Sequence, residues 1–97
     1  MMMIVLSYDV DTSDEKGAKR LRKVARACEA LGCRVQKSVF ELVIDPAQLI
    51  ALKADLEAII DPERDSVRLY RLGKNWRPKI ESLGKGLRYE QDGVIIL

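Results

Sequence analysis

An α+β fold is predicted for this 97-residue chain, and three observations predict it. The apolar segments run strand, helix, strand, strand, helix, strand. Both helices open on marked capping sequences. The first strand is apolar almost without a break, as suits the centre of a sheet.

Residues 3–9, MIVLSYD, make the first strand. The link VDTSDE contains Thr12-x-x-Glu15, a capping box in which two side chains satisfy otherwise free backbone N–H groups, so a helix is expected from about Ser13. Leu21, Val24, Ala25, Cys28 and Leu31 recur at spacings of three and four and form its apolar stripe. Lys19, Arg22, Lys23 and Arg26 project from the other side, and Gly32 is expected to end the helix. RVQKSVFELVI, residues 34–44, is rich in β-branched and aromatic residues. It is long enough for two short strands with a reversal near residues 37–40. DPAQ then opens a second helix, with Asp45 as cap, Pro46 in the first turn and Gln48 three residues on. Leu49, Leu52, Leu56, Ile59 and Ile60 form its stripe, and Pro62 in DPERD stops it. SVRLYRL, residues 66–72, alternates as a fourth strand. Residues 76–83 fit either a short fifth strand or a helical turn, and a Gly-containing tail ends in an apolar VIIL.

The order β-α-β-β-α-β is the ferredoxin-like arrangement, an antiparallel four-stranded sheet with both helices on one face. The chain is expected to be one domain, residues 1–97, with a core of about 1–72 and an extension of about 76–97. The helix-free face of the sheet needs a cover, and a second copy of the chain is the simplest one, since small domains gain from oligomerisation.

The net charge of +2 conceals strong blocks. Residues 16–37 hold eight basic side chains against Glu29 alone. Residues 41–65 hold seven acids against Lys53 and Arg64, and residues 68–88 hold seven bases against Glu81. Such local positive surface suits a phosphate backbone, although a solvated helix face gives the same pattern. No run of 18 apolar residues is present, and the opening MMMIVLSYDV lacks the basic start of a secretion signal, so a cytoplasmic protein without a membrane span is expected. With no histidine and only Cys28 and Cys33, a tetrahedral zinc site within one chain is excluded, as is Ser-His-Asp or Cys-His catalysis. Cys28 lies on the apolar stripe and is expected to be a reduced core thiol. No Gly-rich phosphate loop of the P-loop or dinucleotide type occurs.

Asp9, which ends the first strand, is then the carboxylate of interest. Mg²⁺ usually keeps several waters and takes one or two carboxylates together with substrate phosphates. In a two-fold dimer every residue near the axis occurs twice, so two Asp9 side chains could share one ion. Arg and Lys of the first helix would hold flanking phosphates. Asp9 and Asp11 fit equally well as caps of the link. Tyr8 is expected on the opposite face of the strand from Asp9. Phe40 fits a core position or an apolar prop beside a dimer axis, and Tyr70 and Trp76, set among Arg68, Arg71 and Arg77, fit base stacking or sheet-edge packing.

The segments YDV, KRLRKVAR, RVQKSVFE, DPAQ, IDPERDSVRLYRLG and DGVIIL, in that order and across essentially the whole chain, resemble the small CRISPR-associated endonuclease family, the second of the two core proteins of CRISPR adaptation. The resemblance implies a ferredoxin-like homodimer in which a C-terminal strand, here at about 78–83, is exchanged onto the partner's sheet. It implies Mg²⁺-dependent cleavage of RNA or double-stranded DNA, with Asp9 of each subunit as metal ligand and catalytic residue. Arg20, Arg22 and Arg34 match basic positions associated with the site, and with Lys19, Lys23 and Arg26 they make up the expected nucleic-acid surface. Tyr8 and Phe40 match site-adjacent aromatics, and Lys37 stands where relatives often carry Tyr or Asn. A second implied role is that of an adaptor, which bridges dimers of the CRISPR integrase partner and holds a double-stranded DNA prespacer.

Overall fold

A computed structural model describes residues 1–84 and, beyond them, the strands Arg88–Tyr89 and Ile95–Ile96. The elements are β1 (Met2–Asp9), α1 (Glu15–Glu29), β2 (Gly32–Gln36), β3 (Val39–Ile44), α2 (Pro46–Ile59) and β4 (Ser66–Gly73). The four strands make one antiparallel sheet in the order β2-β3-β1-β4. This is the ferredoxin-like topology, and the apolar opening run does form a central strand.

Strand alternation divides the sheet into two faces. Leu6 pairs with Phe40 on one side and Leu69 on the other, and Ile4 pairs with Leu42. With Tyr8, Val10 and Ile44 these residues pack against Val24 and Cys28 of α1 and Leu49, Leu52 and Leu56 of α2. Burial in this core pushes the Cys28 thiol up to about 11, so it stays protonated and inert, as expected for a reduced core thiol. The opposite face carries Val5, Ser7 and Asp9 of β1, Val39, Glu41 and Val43 of β3, and Arg68 and Tyr70 of β4. Met3 is also on that face, yet it is buried, as is Trp76.

Both helix starts are capped, one of them differently from the expectation. Asp45 accepts from the Gln48 N–H at 2.7 Å, while the Gln48 side chain accepts from the Asp45 N–H at 3.0 Å, completing the expected box with Pro46 behind the cap. At α1 the cap is Asp14, accepting from the Gly17 N–H at 2.8 Å, and not Thr12. Asp11 accepts from the Ser13 N–H at 2.9 Å. That local turn takes up Thr12 and Ser13 and moves the helix start along the chain. The helix also ends before Gly32, with Ala30 as its C-cap. Gly32 instead opens β2 opposite Leu42.

After β4 the chain makes a single 3-10 turn, Arg77–Lys79, in which the Lys79 N–H donates to the Trp76 carbonyl at 2.9 Å. Of the two alternatives for this stretch, the helical turn is therefore the one present. The strand expected at about 78–83 is not formed within this subunit, where the 3-10 turn takes up residues 77–79 and no strand follows before residue 84. Arg88–Tyr89 (β5) pairs antiparallel with Ile95–Ile96 (β6). The rest of the expected tail lies outside the described residues.

Candidate active site at the end of β1

Asp9 is the last residue of β1 and is exposed. The same alternation that sends Tyr8 into the core puts Asp9 on the helix-free face, opposite Ser66 and diagonal to Arg68. Among the described residues its carboxylate has no ion pair. An exposed, unpaired carboxylate at the end of a buried strand remains available to a cation or a second subunit.

Tyr8 lies on the other side, as expected. Its ring stacks on Phe40 with centroids 6.1 Å apart, and its hydroxyl donates to the Lys37 carbonyl at 3.2 Å. Burial pushes the phenol above its ordinary pKa, against the opposing effect of Arg34. Phe40 is fully buried, so of its two readings the core position is the one the subunit displays. The Arg34 guanidinium lies 5.2 Å from the Phe40 ring centroid and pairs with Glu29 at 3.1 Å. This reaches the edge of the sheet on the helix side, away from the Asp9 face.

The basic residues of α1 separate into two groups. Lys19, Arg22, Lys23 and Arg26 are exposed along the side of the helix opposite its buried residues Gly17, Val24, Ala25 and Cys28. They form a solvent-facing ridge beyond the helix layer, while Asp9 faces away from the helices. The ridge and the carboxylate are thus on opposite sides of the sheet within one subunit. The basic side chain nearest Asp9 in the sheet register is Arg68 on β4.

Arg20 turns inward instead. Its Nε donates to Asp65 Oδ2 at 2.7 Å, and the Arg20 and Asp65 side chains are only 14% and 0% exposed. Asp65 is the one buried charged residue among those described. Its carboxylate also accepts from the backbone N–H of Asp11 at 3.1 Å and of Asp61 at 2.8 Å. Burial alone pushes this carboxyl up, but the Arg20 hydrogen bond and the two backbone donors outweigh it and hold it below its ordinary value. Asp65 in turn holds the Arg20 guanidinium above its ordinary value.

Arg64 adds an outer layer. It reaches Asp11 at 3.0 Å and Asp14 at 3.1 Å, and donates to the Ser13 hydroxyl at 3.2 Å. The backbone and side chain of Ser13, with Arg64, bring the Asp11 carboxyl down to about 2. The link after β1 and the link before β4 are therefore laced together beside Asp9. Nothing in the sequence marks Arg64 or Asp65 for this. Arg20 and Asp65 are 45 residues apart, and DPERD has the form of an ordinary helix stop.

Among the described residues no group of three or more His, Cys, Asp or Glu side chains could hold a metal ion. No helix is long and apolar enough to cross a membrane, again among the described residues. Comparison with known proteins points to one family throughout. A family described as CRISPR associated protein Cas2 matches residues 1–80. A CRISPR-associated endonuclease Cas2 of Halalkalibacterium halodurans is 53% identical over 83 residues, which is 86% of each chain. A CRISPR-associated endoribonuclease Cas2 of Rhodospirillum rubrum is 50% identical over 98% of this chain and 100% of its own length. Among solved structures, Streptococcus pyogenes Cas2 at pH 6.5 superposes with a TM-score of 0.76 at 49% identity, covering 86% of this chain and all of the other.

Proposed function

The chain belongs to the CRISPR associated protein Cas2 family, a family with relatives named as endonucleases and endoribonucleases, and from that premise we propose that it is a Mg²⁺-dependent nuclease acting as a homodimer in CRISPR adaptation. Its substrate is RNA or double-stranded DNA, and Asp9 of both subunits forms the site. The observation that carries this reading is Asp9 itself. It is exposed and, among the described residues, without an ion pair at the end of a central strand, on the sheet face that the chain's own helices leave open.

One such carboxylate is half of what Mg²⁺ takes from a protein when it also keeps waters and binds phosphate oxygens. A site shared across a two-fold axis would supply the second carboxylate, one from each subunit. Bound there, Mg²⁺ would supply Lewis acidity and a lowered pKa for an attacking water. The chain itself contributes the ligand carboxylate, held by the register of β1 against β4, while the Arg68 guanidinium lies over the Tyr70 ring, 5.5 Å from its centroid, on the side away from Asp9. With no histidine in the sequence, imidazole has no part in proton transfer.

The test compares wild type with Asp9→Asn on labelled RNA and duplex DNA in Mg²⁺. The expected result is a loss of cleavage greater than the roughly 10–100-fold that follows removal of a supporting partner around a metal. Equal cleavage by both proteins would overturn the reading.

A second role is favoured by a separate observation, the exposed ridge of Lys19, Arg22, Lys23 and Arg26. Directed away from the Asp9 face, it suits a duplex lying along the outside of the molecule, as an adaptor holding a prespacer beside the integrase partner requires. Both roles belong to one polarised molecule, with cleavage on one face and phosphate binding on the other.

A further inference from the structure

Asp9 occupies the last rung of the β1–β4 ladder, opposite Ser66, and strand ends are where pairing opens most readily. Asp65 immediately precedes Ser66 and extends the connection past that rung. Its carboxylate holds the Asp11 N–H at 3.1 Å, two residues beyond Asp9. The Arg20 Nη2 holds the Asp11 carbonyl at 3.4 Å while also reaching Asp65 Oδ1 at 3.4 Å. Both backbone groups of Asp11 are thus tied to one ion pair, and that pair is rooted in α1 through Arg20 and in the turn before β4 through the Asp61 N–H. Gly17 closes the same junction from the helix side, since a Cβ there would collide with the Asp11 carbonyl.

We propose that Arg20 and Asp65 are positioning residues for the nuclease reaction, their buried pair pinning the end of β1 so that Asp9 is held in its working direction. This rests on the nuclease reading above. It gives Arg20 a part in the reaction without contact with nucleic acid, and it gives Asp65 a part that no motif announces. A buried, fully bonded pair has few alternative partners and holds its geometry. The exposed bonds of Arg64 to Asp11, Asp14 and Ser13 can be exchanged for water and count for little. Orientation of a reacting group is where such a pin acts, because a displacement of about 1 Å can reduce a rate ~100-fold.

The experiment uses the full chain as wild type, Asp9→Asn, Asp65→Asn, Arg20→Ala, the Arg20→Ala/Asp65→Asn double variant and Arg64→Ala. It measures kcat and KM for Mg²⁺-dependent cleavage of labelled RNA and duplex DNA, together with amide exchange by NMR. Asp65→Asn and Arg20→Ala are expected to lower kcat ~10–100-fold with KM within about twofold. The double variant should be no worse than the worse single one, and Arg64→Ala should stay near wild type. In Asp65→Asn the Asp11 amide should exchange faster while the Leu6 and Phe40 amides keep their protection.

Several outcomes overturn the proposal. One is a folded Asp65→Asn with wild-type kcat, or with unchanged exchange at Asp11. Another is an Arg20→Ala that raises KM with kcat intact, which would make Arg20 a direct phosphate contact. If Asp65→Asn does not fold, Arg20→Lys carries the test, with the same division between kcat and KM, because it keeps the charge and loses the fork. Asp9→Asn inactive beside a fully active Asp65→Asn defeats the positioning role alone. Wild type no faster than Asp9→Asn defeats the nuclease reading, and the positioning role with it.

Discussion

Asp9 and Asp65 are two carboxylates at the same end of the sheet with opposite surroundings. Asp9 is exposed and without an ion pair among the described residues, whereas Asp65 is enclosed by Arg20 and two backbone donors. The first suits chemistry and the second suits architecture, and their energetics should differ accordingly. Asp65→Ala leaves a buried guanidinium and two N–H groups without their acceptor, so a loss of about 3 kcal/mol in urea unfolding is expected. A change below about 0.5 kcal/mol would contradict the buried-pair account. The pH dependence has a definite sign. Asp11, Asp14 and Asp65 all have carboxyls held below the ordinary value of 3.8 in the folded chain. The stability they contribute is therefore complete above about pH 5 and is lost as pH falls through 4 toward 2. Unfolding midpoints at pH 7, 5 and 3 should fall mainly in the last interval. A midpoint constant down to pH 3 would show that the lacing contributes nothing.

At the scale of elements, patterning carried most of the fold. The spacings in α1 and α2 identified Val24, Ala25, Cys28, Leu49, Leu52 and Leu56, which are buried, and DPAQ marked the second helix to the residue. The first helix was displaced because DTSDE offers several oxygen-bearing caps in succession. Which one wins depends on the turn Asp11 makes with Ser13, a competition that spacing does not resolve. Gly32 was misplaced for a related reason. A glycine after a helical stripe resembles a C-cap, but here it is required by tertiary contact, since a Cβ at 32 would strike the Leu42 side chain and the Glu41 carbonyl. Gly32→Ala is accordingly expected to destabilise by about 1–3 kcal/mol, measured by thermal unfolding. An unchanged midpoint would mean that the edge strand gives way freely. The Asp9 position was legible because a single carboxylate ends an apolar strand. Asp65 was not, because ion pairs between distant links leave no periodic trace.

For the whole molecule, the sheet separates two surfaces that the linear sequence sets side by side. Asp9 and the basic ridge are close in the chain, yet alternation in β1 turns Asp9 to the open face while α1 carries Lys19, Arg22, Lys23 and Arg26 outward from the other. Duplex binding and cleavage should therefore respond to different substitutions. Arg22→Glu/Arg26→Glu should weaken duplex binding and make its salt dependence shallower, as measured by titration at several ionic strengths. An unchanged affinity and slope would remove the ridge from the contact surface. The central claim is that the two Asp9 carboxylates of a dimer act on one site, and mixed dimers test it most directly. Wild-type and Asp9→Asn subunits are unfolded together in equal amounts, refolded, and assayed in Mg²⁺. Because a shared site needs both carboxylates, only dimers with two wild-type subunits should cut, leaving about one quarter of the wild-type activity. About one half would show that each subunit cuts alone, and would contradict the shared site.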